Sequence, residues 1–222
     1  MQAIEFNGAR LMLHHAGLMF WPKHQLAVVS DLHLEKGSFF AQTGQLLPAY
    51  DSVHTLIRLQ QCLQSETIKR LMFLGDSFHD RAGYHRLQPE ALALFNQLCD
   101  TYQILWVMGN HEAGFVPPGV EASIEITIDG LNFRHICTNN ADAEISGHYH
   151  PKVSLRIAGK RVNRACFMHS DQRLIMPAFG AFTGGLRVDS SALTKLFPRP
   201  HTLHVLGSKA IFSLPSEQIE HA

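Results

Sequence analysis

The chain has 222 residues, 45% of them hydrophobic, which suffices to bury the core of one domain or of two small ones; we expect one domain over residues 1–222. Its 19 basic and 19 acidic residues cancel, so the broad positive surface of a general nucleic-acid binder is not expected, and an anionic substrate must be held locally. No stretch approaches the roughly 20 apolar residues of a membrane span, and no basic start precedes an apolar run, so neither a membrane segment nor export is predicted.

The cysteine pattern favours a reducing compartment. The four cysteines lie far apart without a CxxC pair, which argues against a zinc knuckle and against a disulfide framework. We therefore expect a cytoplasmic protein. The unusual count is fifteen histidines, some of which gather at spacings typical of metal ligands.

In the first half of the chain, apolar runs alternate with segments of helical period. This pattern predicts a β-α-β-α-β order, with strands over residues 25–30, 70–75 and 103–109 and helices over residues 48–63 and 88–102. Apolar side chains gather on one face of each helix, so both helices are expected to cover a sheet.

The residue pattern of the sequence changes near residue 120. From there on, short β-rich segments dominate, separated by Gly and Pro: residues 123–129, 131–136, 152–157, 174–176, 201–206 and 210–214. We interpret this half as a second sheet, not as a second domain.

Polar side chains follow each of the first three predicted strands. Asp31 and His33 follow the first strand, Asp76 follows Gly75 at the end of the second, and Asn110 and His111 follow the third. Side chains two apart on an extended segment point the same way, so Asp31 and His33 can converge on one atom. The DxH pair alone is weak, because Asp often caps a turn, but ligands collect where parallel strands end.

Three further histidines join this series. "EISGHYH" places His148 and His150 two apart, and "NFRHI" places His135 within an apolar strand. A lone histidine in such a strand is more often a core residue than a ligand.

The ordered series DxH, GD, GNHE, a lone His and GHxH, over residues 31–150, resembles the calcineurin-like metallophosphoesterase superfamily. The resemblance implies an α/β fold, a four-layer α-β-β-α sandwich of two mixed sheets flanked by helices. The stretches "DLHLEKGSFFAQTGQLLPAYD", "GDSFHD" and "MPAFGAFTGGL" are similar to the bacterial DNA-ligase-associated metallophosphoesterases.

The resemblance also implies a binuclear metal site. Asp76 would bridge two divalent ions, with one site completed by Asp31, His33 and His150 and the other by Asn110, His135 and His148. Two such ions about 3.5–4 Å apart can bind a phosphoryl oxygen, activate a bridging hydroxide and stabilise the departing oxygen as the P–O bond breaks. Because imidazole suits transition metals, we expect manganese first, with iron, cobalt, nickel and zinc as alternatives.

Two residues are expected to act on the substrate or beside it. By analogy, His111 would donate a hydrogen bond or proton to the phosphoryl group or the leaving oxygen. Asp80 would orient His111, although "GDSFHD" spaces its acids one residue further apart than the superfamily's GDxxD pattern. The alternative interpretation, equally favoured by the sequence, is that Asp80 pairs with Arg81 or caps a turn.

Several other segments keep two interpretations. Lys36, Phe39 and Phe40 are expected to form either a substrate wall or ordinary core beside a solvated lysine. The basic residues at 160–164 either follow a nucleic-acid backbone or form a solvated face. The stretch "GAFTGGLR" lacks the lysine of a phosphate loop, so its glycines make a turn or let the backbone approach the site. "HEAGF" is not a zinc-protease helix, because Phe115 replaces the second histidine.

The sequence therefore predicts a two-metal phosphoesterase, specifically a phosphodiesterase linked to DNA repair. Family context implies a phosphodiester or nucleic-acid substrate and association with an ATP-dependent DNA ligase, a helicase and an exonuclease. The alternatives are a hydrolase of small nucleotides or phosphomonoesters and a non-catalytic metal-binding scaffold.

Overall fold

A computed structural model describes residues 1–42, 44–45, 50–64, 66–112, 114–138, 143–157, 159–198 and 200–221. Two mixed β-sheets face each other across an apolar core, with helices on their outer faces. This is the α-β-β-α order of layers expected from the sequence. No helix in the described ranges is long and apolar enough to cross a membrane.

The first sheet has seven strands among the described residues, arranged in chain order. They are β1 (Gln2–Phe6), β2 (Ala9–Leu13), β3 (Met19–Trp21), β4 (Leu26–Val29), β5 (Arg70–Leu74), β6 (Gln103–Val107) and β7 (Ala122–Ser123). Strands β1 to β4 pair antiparallel, whereas β4 to β7 pair parallel. The three parallel strands β4, β5 and β6 are the ones predicted; β1, β2 and β3 were not.

Five α-helices are present in the described ranges: α1 (Lys36–Gln42), α2 (Asp51–Leu63), α3 (Gly83–Arg86), α4 (Pro89–Thr101) and α5 (Ser191–Leu196). Helices α2 and α4 connect the parallel strands and were predicted; residues 48 and 49, where the first was expected to begin, lie outside the described residues. Their apolar faces pack on the outer face of the first sheet, where Leu56 and Phe95 belong to the same apolar cluster as Phe73.

The second sheet contains β8 (Glu125–Ile128), β9 (Leu131–Arg134), β10 (Glu144–Ser146), β11 (Lys152–Ile157), β12 (Lys160–His169), β13 (Arg173–Ile175), β14 (Thr202–Leu206) and β15 (Ile211–Pro215). Its order is β15-β14-β12-β13-β10-β9-β8, and β11 pairs with the first part of β12. The strand predicted over residues 123–129 is divided, because Ser123 ends β7 in the first sheet and Glu125 begins β8 in the second.

The two sheets meet in one apolar layer, to which the first sheet contributes Met72, Leu74 and Val107 and the second contributes Phe133 and Phe167. Since β9 and β10 are parallel neighbours, their carboxyl ends lie at one edge of the second sheet, as those of β4, β5 and β6 do in the first. A hydrogen bond of 3.0 Å from the amide of His148 to Asp31 Oδ2 joins the two edges. The candidate site lies there.

Candidate metal centre

The backbone of the candidate ligands is strained. Five of the seven predicted ligands have positive φ, between 45° and 70°: Asp31, His33, Asp76, His148 and His150. Such a conformation costs a residue other than glycine on the order of 1–3 kcal/mol and persists only where surrounding contacts impose it. The expectation that extended backbone aligns Asp31 with His33 was therefore wrong; each of these residues turns the chain sharply.

Hydrogen bonds between neighbouring loops hold these turns. The amide of Asp31 donates to the carbonyl of Gly75 at 3.1 Å, and the amide of His33 donates to the carbonyl of Asp76 at 2.9 Å. At Gly147, a Cβ atom would overlap Ser30 Oγ, so only glycine lets this loop approach Asp31.

The first ligand cluster, called the Asp31 cluster below, consists of Asp31, His33 and His150. Asp31 Oδ1 lies 2.9 Å from His150 Nε2 and 3.9 Å from His33 Nε2, and the two imidazole nitrogens are 3.4 Å apart. Ligand atoms that each bind one ion at about 2.1 Å lie about 3 Å apart when they are adjacent. The cluster therefore has dimensions that suit one metal ion.

The second ligand cluster, called the His135 cluster, contains Asp76, Asn110, His135 and His148. His135 Nε2 lies 3.2 Å from Asp76 Oδ2 and 3.1 Å from Asn110 Oδ1. One ligand atom each from Asp76, His135 and His148 lies within 4.8 Å of the other two. The four residues come together from both sheets.

Asp76 Oδ2 links the two clusters, because it lies 3.9 Å from His33 Nε2 on one side and 3.2 Å from His135 Nε2 on the other. The other carboxylate oxygen, Oδ1, accepts a hydrogen bond of 2.9 Å from the amide of His111. The carboxylate is thus fixed at one oxygen and turned toward both clusters with the other.

The hydrogen bonds of His135 provide a test of fit for a cation. Its Nδ1 lies 3.0 Å from the carbonyl oxygen of Leu74, which can only accept, so Nδ1 carries the proton in the neutral ring. The lone pair of Nε2 then faces the Asp76 carboxylate, which is also an acceptor. A cation at this point, either a proton on Nε2 or a metal ion in its place, satisfies both atoms, so the residues present fit a metal ion.

Burial, hydrogen bonds and neighbouring charges together set the pKa values of the candidate ligands. Burial opposes ionisation of Asp31 and Asp76, but hydrogen bonds and charge from His150 and His135 outweigh it and lower both pKa values. Burial lowers the pKa of His33 to about 3. Burial also opposes protonation of His135, yet the hydrogen bond to Asp76 and the charges of Asp31 and Asp76 raise its pKa to about 9. The two carboxylates therefore attract a cation strongly at neutral pH.

About half of the chain matches a known protein family. Residues 24–136 match the family of calcineurin-like phosphoesterases. The chain belongs to this family. It is therefore a metal-dependent phosphoesterase, and its Asp and His clusters could hold metal ions.

The fold of the phosphoesterase is also found among solved structures. The crystal structure of the Pseudomonas putida nuclease MPE is 25% identical and has a TM-score of 0.73, covering 96% of this chain and 99% of that chain. A Vps29 single mutant from Entamoeba histolytica is 15% identical with a TM-score of 0.36, and the match covers 86% of this chain and 97% of that chain. A predicted phosphoesterase from Streptococcus pneumoniae TIGR4 is 12% identical with a TM-score of 0.34, and the match covers 86% of this chain and 96% of that chain. No curated protein sequence matches the chain.

His111 lies at the open side of the phosphoesterase site, with 41% of its side chain exposed. Its Nδ1 lies 2.9 Å from the carbonyl oxygen of His79, which directs Nε2 toward the clusters, 3.9 Å from Asp76 Oδ2. Asp80 instead makes two hydrogen bonds to Arg86 and accepts one from the amide of Ala82. Of the two alternatives, the turn cap is confirmed, and the ion-pair partner of Asp80 is Arg86, not Arg81. That Asp80 orients His111 stays a prediction.

His79 belongs to the site, although no role was predicted for it. One ring nitrogen each of His33, His79 and His111 lies within 4.8 Å of the other two, and the rings of His79 and His111 stack with centroids 5.3 Å apart. Burial lowers the pKa of His79 to about 4, so the ring is neutral at pH 7. The sequence signal for His79 was the extra residue in "GDSFHD", since His79 lies between the two acids of that motif.

Glu112, the last residue of "GNHE", connects two loops of the site. It is fully buried, and its Oε2 accepts a hydrogen bond of 2.8 Å from the amide of Phe78. The amides of Ser77 and Gly109 also donate to it, and burial raises its pKa to about 7. Glu112 therefore ties the loop that carries Asp76 to the loop that carries Asn110.

One wall of the site is aromatic and basic. Phe39 lies with its ring centroid 4.7 Å from that of His79, and Lys36 lies 6.0 Å from the ring of Phe40. These side chains are half-buried and not part of the core. Burial and then the positive charge of Lys152 lower the pKa of Lys36, so a second lysine contributes charge to this wall.

The glycine-rich stretch at 180–185 lies against the same loops. The amide of Gly180 donates to the carbonyl of Asp31 at 3.0 Å, and a Cβ at Gly180 would overlap the carbonyl oxygen of Leu32. Both interpretations of this stretch are therefore confirmed: the backbone approaches the site at Gly180, and residues 181–182 form a turn.

A cavity of about 460 Å³ opens beside the His135 cluster. Asn110 and His135 line its inner end, and Met108, Ile124 and Ile136 contribute apolar surface. The cavity gives an organic group on phosphorus an apolar place next to the candidate metal centre.

Proposed function

We propose that this phosphoesterase is a two-metal phosphodiesterase that cleaves nucleic acid. The observation that carries the proposal is the position of Asp76 Oδ2 between the Asp31 cluster and the His135 cluster. The 25% identity with a nuclease over 96% of the chain supports a nucleic-acid substrate.

In this proposal, Asp31, His33 and His150 hold one divalent ion, Asn110, His135 and His148 hold the other, and Asp76 serves both. When bound, such ions polarise the phosphoryl oxygens, lower the pKa of water and stabilise the leaving oxygen. We propose manganese, because five nitrogen and amide ligands suit a transition metal better than magnesium; iron, cobalt, nickel and zinc are the alternatives.

His111 has the position of a general acid. Because His111 Nδ1–H donates a hydrogen bond to the His79 carbonyl, a second proton on the ring must reside on Nε2, which faces the site. From there it can pass to the leaving oxygen, and such a donor contributes on the order of 10²–10⁴ in rate. Lys36 would hold a neighbouring phosphate, and Phe39 with the apolar cavity would receive the organic groups.

The biological setting rests on the resemblance to DNA-ligase-associated enzymes. We propose a role in DNA repair in the cytoplasm, in association with an ATP-dependent ligase, a helicase and an exonuclease. Co-purification of tagged protein with these three activities from its native cell tests this part; their absence at native expression would argue against it.

The test of the chemistry is hydrolysis of bis-p-nitrophenyl phosphate and p-nitrophenyl phosphate by metal-stripped protein resupplied with Mn²⁺. Diester turnover that is lost in Asp76→Asn and His111→Ala is the expected result. A preference for the monoester would favour a phosphatase of small phosphomonoesters or nucleotides. Bound metal without turnover of any substrate would favour a non-catalytic scaffold.

A further inference from the structure

The hairpin formed by β11 and β12 concentrates positive charge. Residues 152–169 include five Lys or Arg and no Asp or Glu, in a chain where 19 basic residues balance 19 acidic ones. Among the described strands β11 pairs only with β12, so the hairpin projects beyond the sheet. Its far end exposes four of the five basic residues: Arg156, Lys160, Arg161 and Arg164.

Strand alternation assigns these residues to two faces. Phe167 of β12 lies in the apolar layer between the sheets, and Arg161 lies six residues earlier, so it shares that inner face. In the β11–β12 ladder, Arg161 is opposite Arg156, and Lys152 is opposite Ala165, two residues before Phe167. Lys152, Arg156 and Arg161 therefore lie on the inner face.

The other two basic residues lie on the outer face. Arg164 is opposite Val153, which is buried in the core beneath α5, and Lys160 is four residues before Arg164. The hairpin thus offers two sets of charge on one scaffold, and the outer set serves as an internal control.

The inner face begins at the candidate metal centre. Lys152 follows the ligand His150 by two residues, and its Nζ donates to the carbonyl of Thr183 at 2.8 Å. At the rise of a β-strand, Arg156 lies about 13 Å further along. A chain of substrate that leaves the metal centre past Lys152 would meet Arg156 and Arg161 next.

The charge on this face is not neutralised by the described residues. Neither Arg156 nor Arg161 makes an ion pair with them. Asp189 is the acidic residue that lines the same cleft as Arg161, and Arg187 holds it with hydrogen bonds of 2.8 and 2.5 Å. The face is therefore available to a polyanion.

We propose that the inner face of the β11–β12 hairpin binds the phosphate backbone of a nucleic-acid strand that continues beyond the scissile phosphodiester. The inference rests on the proposed function and deepens it, because it predicts an extended strand as substrate. Guanidinium groups bind phosphate oxygens in a bidentate manner. Ser154 and Asn163 are the neighbours on this face; without an apolar side chain to insert, the face does not suit a lipid surface.

Paired double variants provide the test. Arg156→Gln/Arg161→Gln removes two charges from the inner face, and Lys160→Gln/Arg164→Gln removes two from the outer face of the same strands. Binding of a labelled oligothymidylate with phosphorothioate linkages, which keep the charge and resist hydrolysis, is measured by fluorescence anisotropy on Mn²⁺-loaded protein over a range of salt concentrations.

The inner variant is expected to raise Kd roughly 10- to 30-fold in 0.1 M salt and to reduce the slope of log Kd against log salt by about 1.4, the value for two lost phosphate contacts. The outer variant is expected to change both by much less. Equal effects of the two variants, or none, would overturn the inference, as would weaker binding to anionic lipid vesicles with unchanged oligonucleotide binding. Failure to hydrolyse bis-p-nitrophenyl phosphate would count against the proposed function alone, since binding is measured without turnover.

Discussion

The two oxygens of the Asp76 carboxylate have different contacts. Oδ1 accepts the amide hydrogen of His111, while Oδ2 faces His33 and His135. Asp76 also has a φ of 50°, so its backbone is held in a conformation that only its surroundings stabilise. A carboxylate fixed in this way needs no rearrangement to bind a cation, which is what preorganisation means at the scale of one residue.

His111→Ala is predicted to lower kcat for a phosphodiester by about 10²–10⁴-fold with little change in bound metal, because His111 is not one of the proposed ligands and alanine keeps the amide that donates to Asp76. Steady-state kinetics with metal analysis of the same samples checks this. Asp80→Asn is the comparison, since loss of the Arg86 contact should lower stability far more than kcat. Similar losses of kcat in both variants would support the prediction that Asp80 orients His111.

Gly147→Ala is predicted to weaken metal binding at least tenfold, because the new Cβ would overlap Ser30 Oγ and approach Asp31 Oδ2 to 2.5 Å. Gly184→Ala is a matched control, since a Cβ there meets no atom within 4 Å. Isothermal titration with Mn²⁺ compares the two. Unchanged affinity in the Gly147 variant would mean that the loop moves freely.

The sequence could predict the residues of the site better than their conformation. All seven predicted ligands lie at one edge of the two sheets. They could be predicted because their order along the chain and their positions at the ends of strands are visible as motifs. The left-handed backbone of Asp31 or His150 leaves no such signal, since their residue types do not require it. His79 and Glu112 were missed because their contributions depend on contacts between loops.

At the scale of elements, periodicity decided what could be predicted. Strands β4, β5 and β6 are almost continuous apolar runs, and helices α2 and α4 each have 13 residues with one apolar face, so pattern alone located them. The β1–β2 hairpin was missed although Asn7 and Gly8, with φ of 47° and 76°, form the turn that such a dipeptide favours. Strand β10 has three residues and depends on its neighbours, which no local pattern shows.

A histidine pair across β12, β14 and β15 predicts a loss of stability in acid. His204 is buried, with Nδ1 2.9 Å from Ser213 Oγ and Nε2 3.3 Å from His169 Nδ1. Burial, and then the charge of His169, lower its pKa to about 4. The unfolded chain, with an ordinary histidine pKa of about 6.5, takes up the proton first, so this stability is present above pH 6.5 and is lost as the pH falls toward 4.

Between pH 7 and pH 5, His204 should therefore contribute about 2 kcal/mol to the loss of unfolding free energy. Urea unfolding of metal-free wild type and His204→Gln at both pH values isolates this share, because protonation of the other histidines is common to both proteins. An equal loss of stability in the two proteins would show that His204 is not the group that titrates.

For the whole molecule, zero net charge conceals an uneven distribution. The candidate metal centre gathers Asp31 and Asp76, whereas Lys36, Lys152 and the β11–β12 hairpin place positive charge around it. A neutral protein can thus bind a polyanion at one edge without attracting it elsewhere. That the chain forms one domain stays a prediction.

Metal removal is predicted to destabilise the whole fold, because the candidate ligands come from both sheets. Asp31, Asp76 and Asn110 follow strands of the first sheet, whereas His135 and His148 follow strands of the second. An ion that binds the folded state alone stabilises it by about 2.7 kcal/mol at 100 times Kd, which for a chain of this length raises Tm by roughly 5–10 °C.

Differential scanning calorimetry of metal-stripped protein, with and without Mn²⁺, measures this shift. Asp76→Asn should lose most of it, because the shared oxygen no longer carries charge for either cluster. Asp129→Asn makes the same chemical change at an exposed aspartate paired with Lys23 and should keep the full shift. A full shift of Tm in the Asp76 variant would mean that the ion binds elsewhere. If the variant loses both the shift and the turnover, one metal centre joins the two sheets and carries out the chemistry.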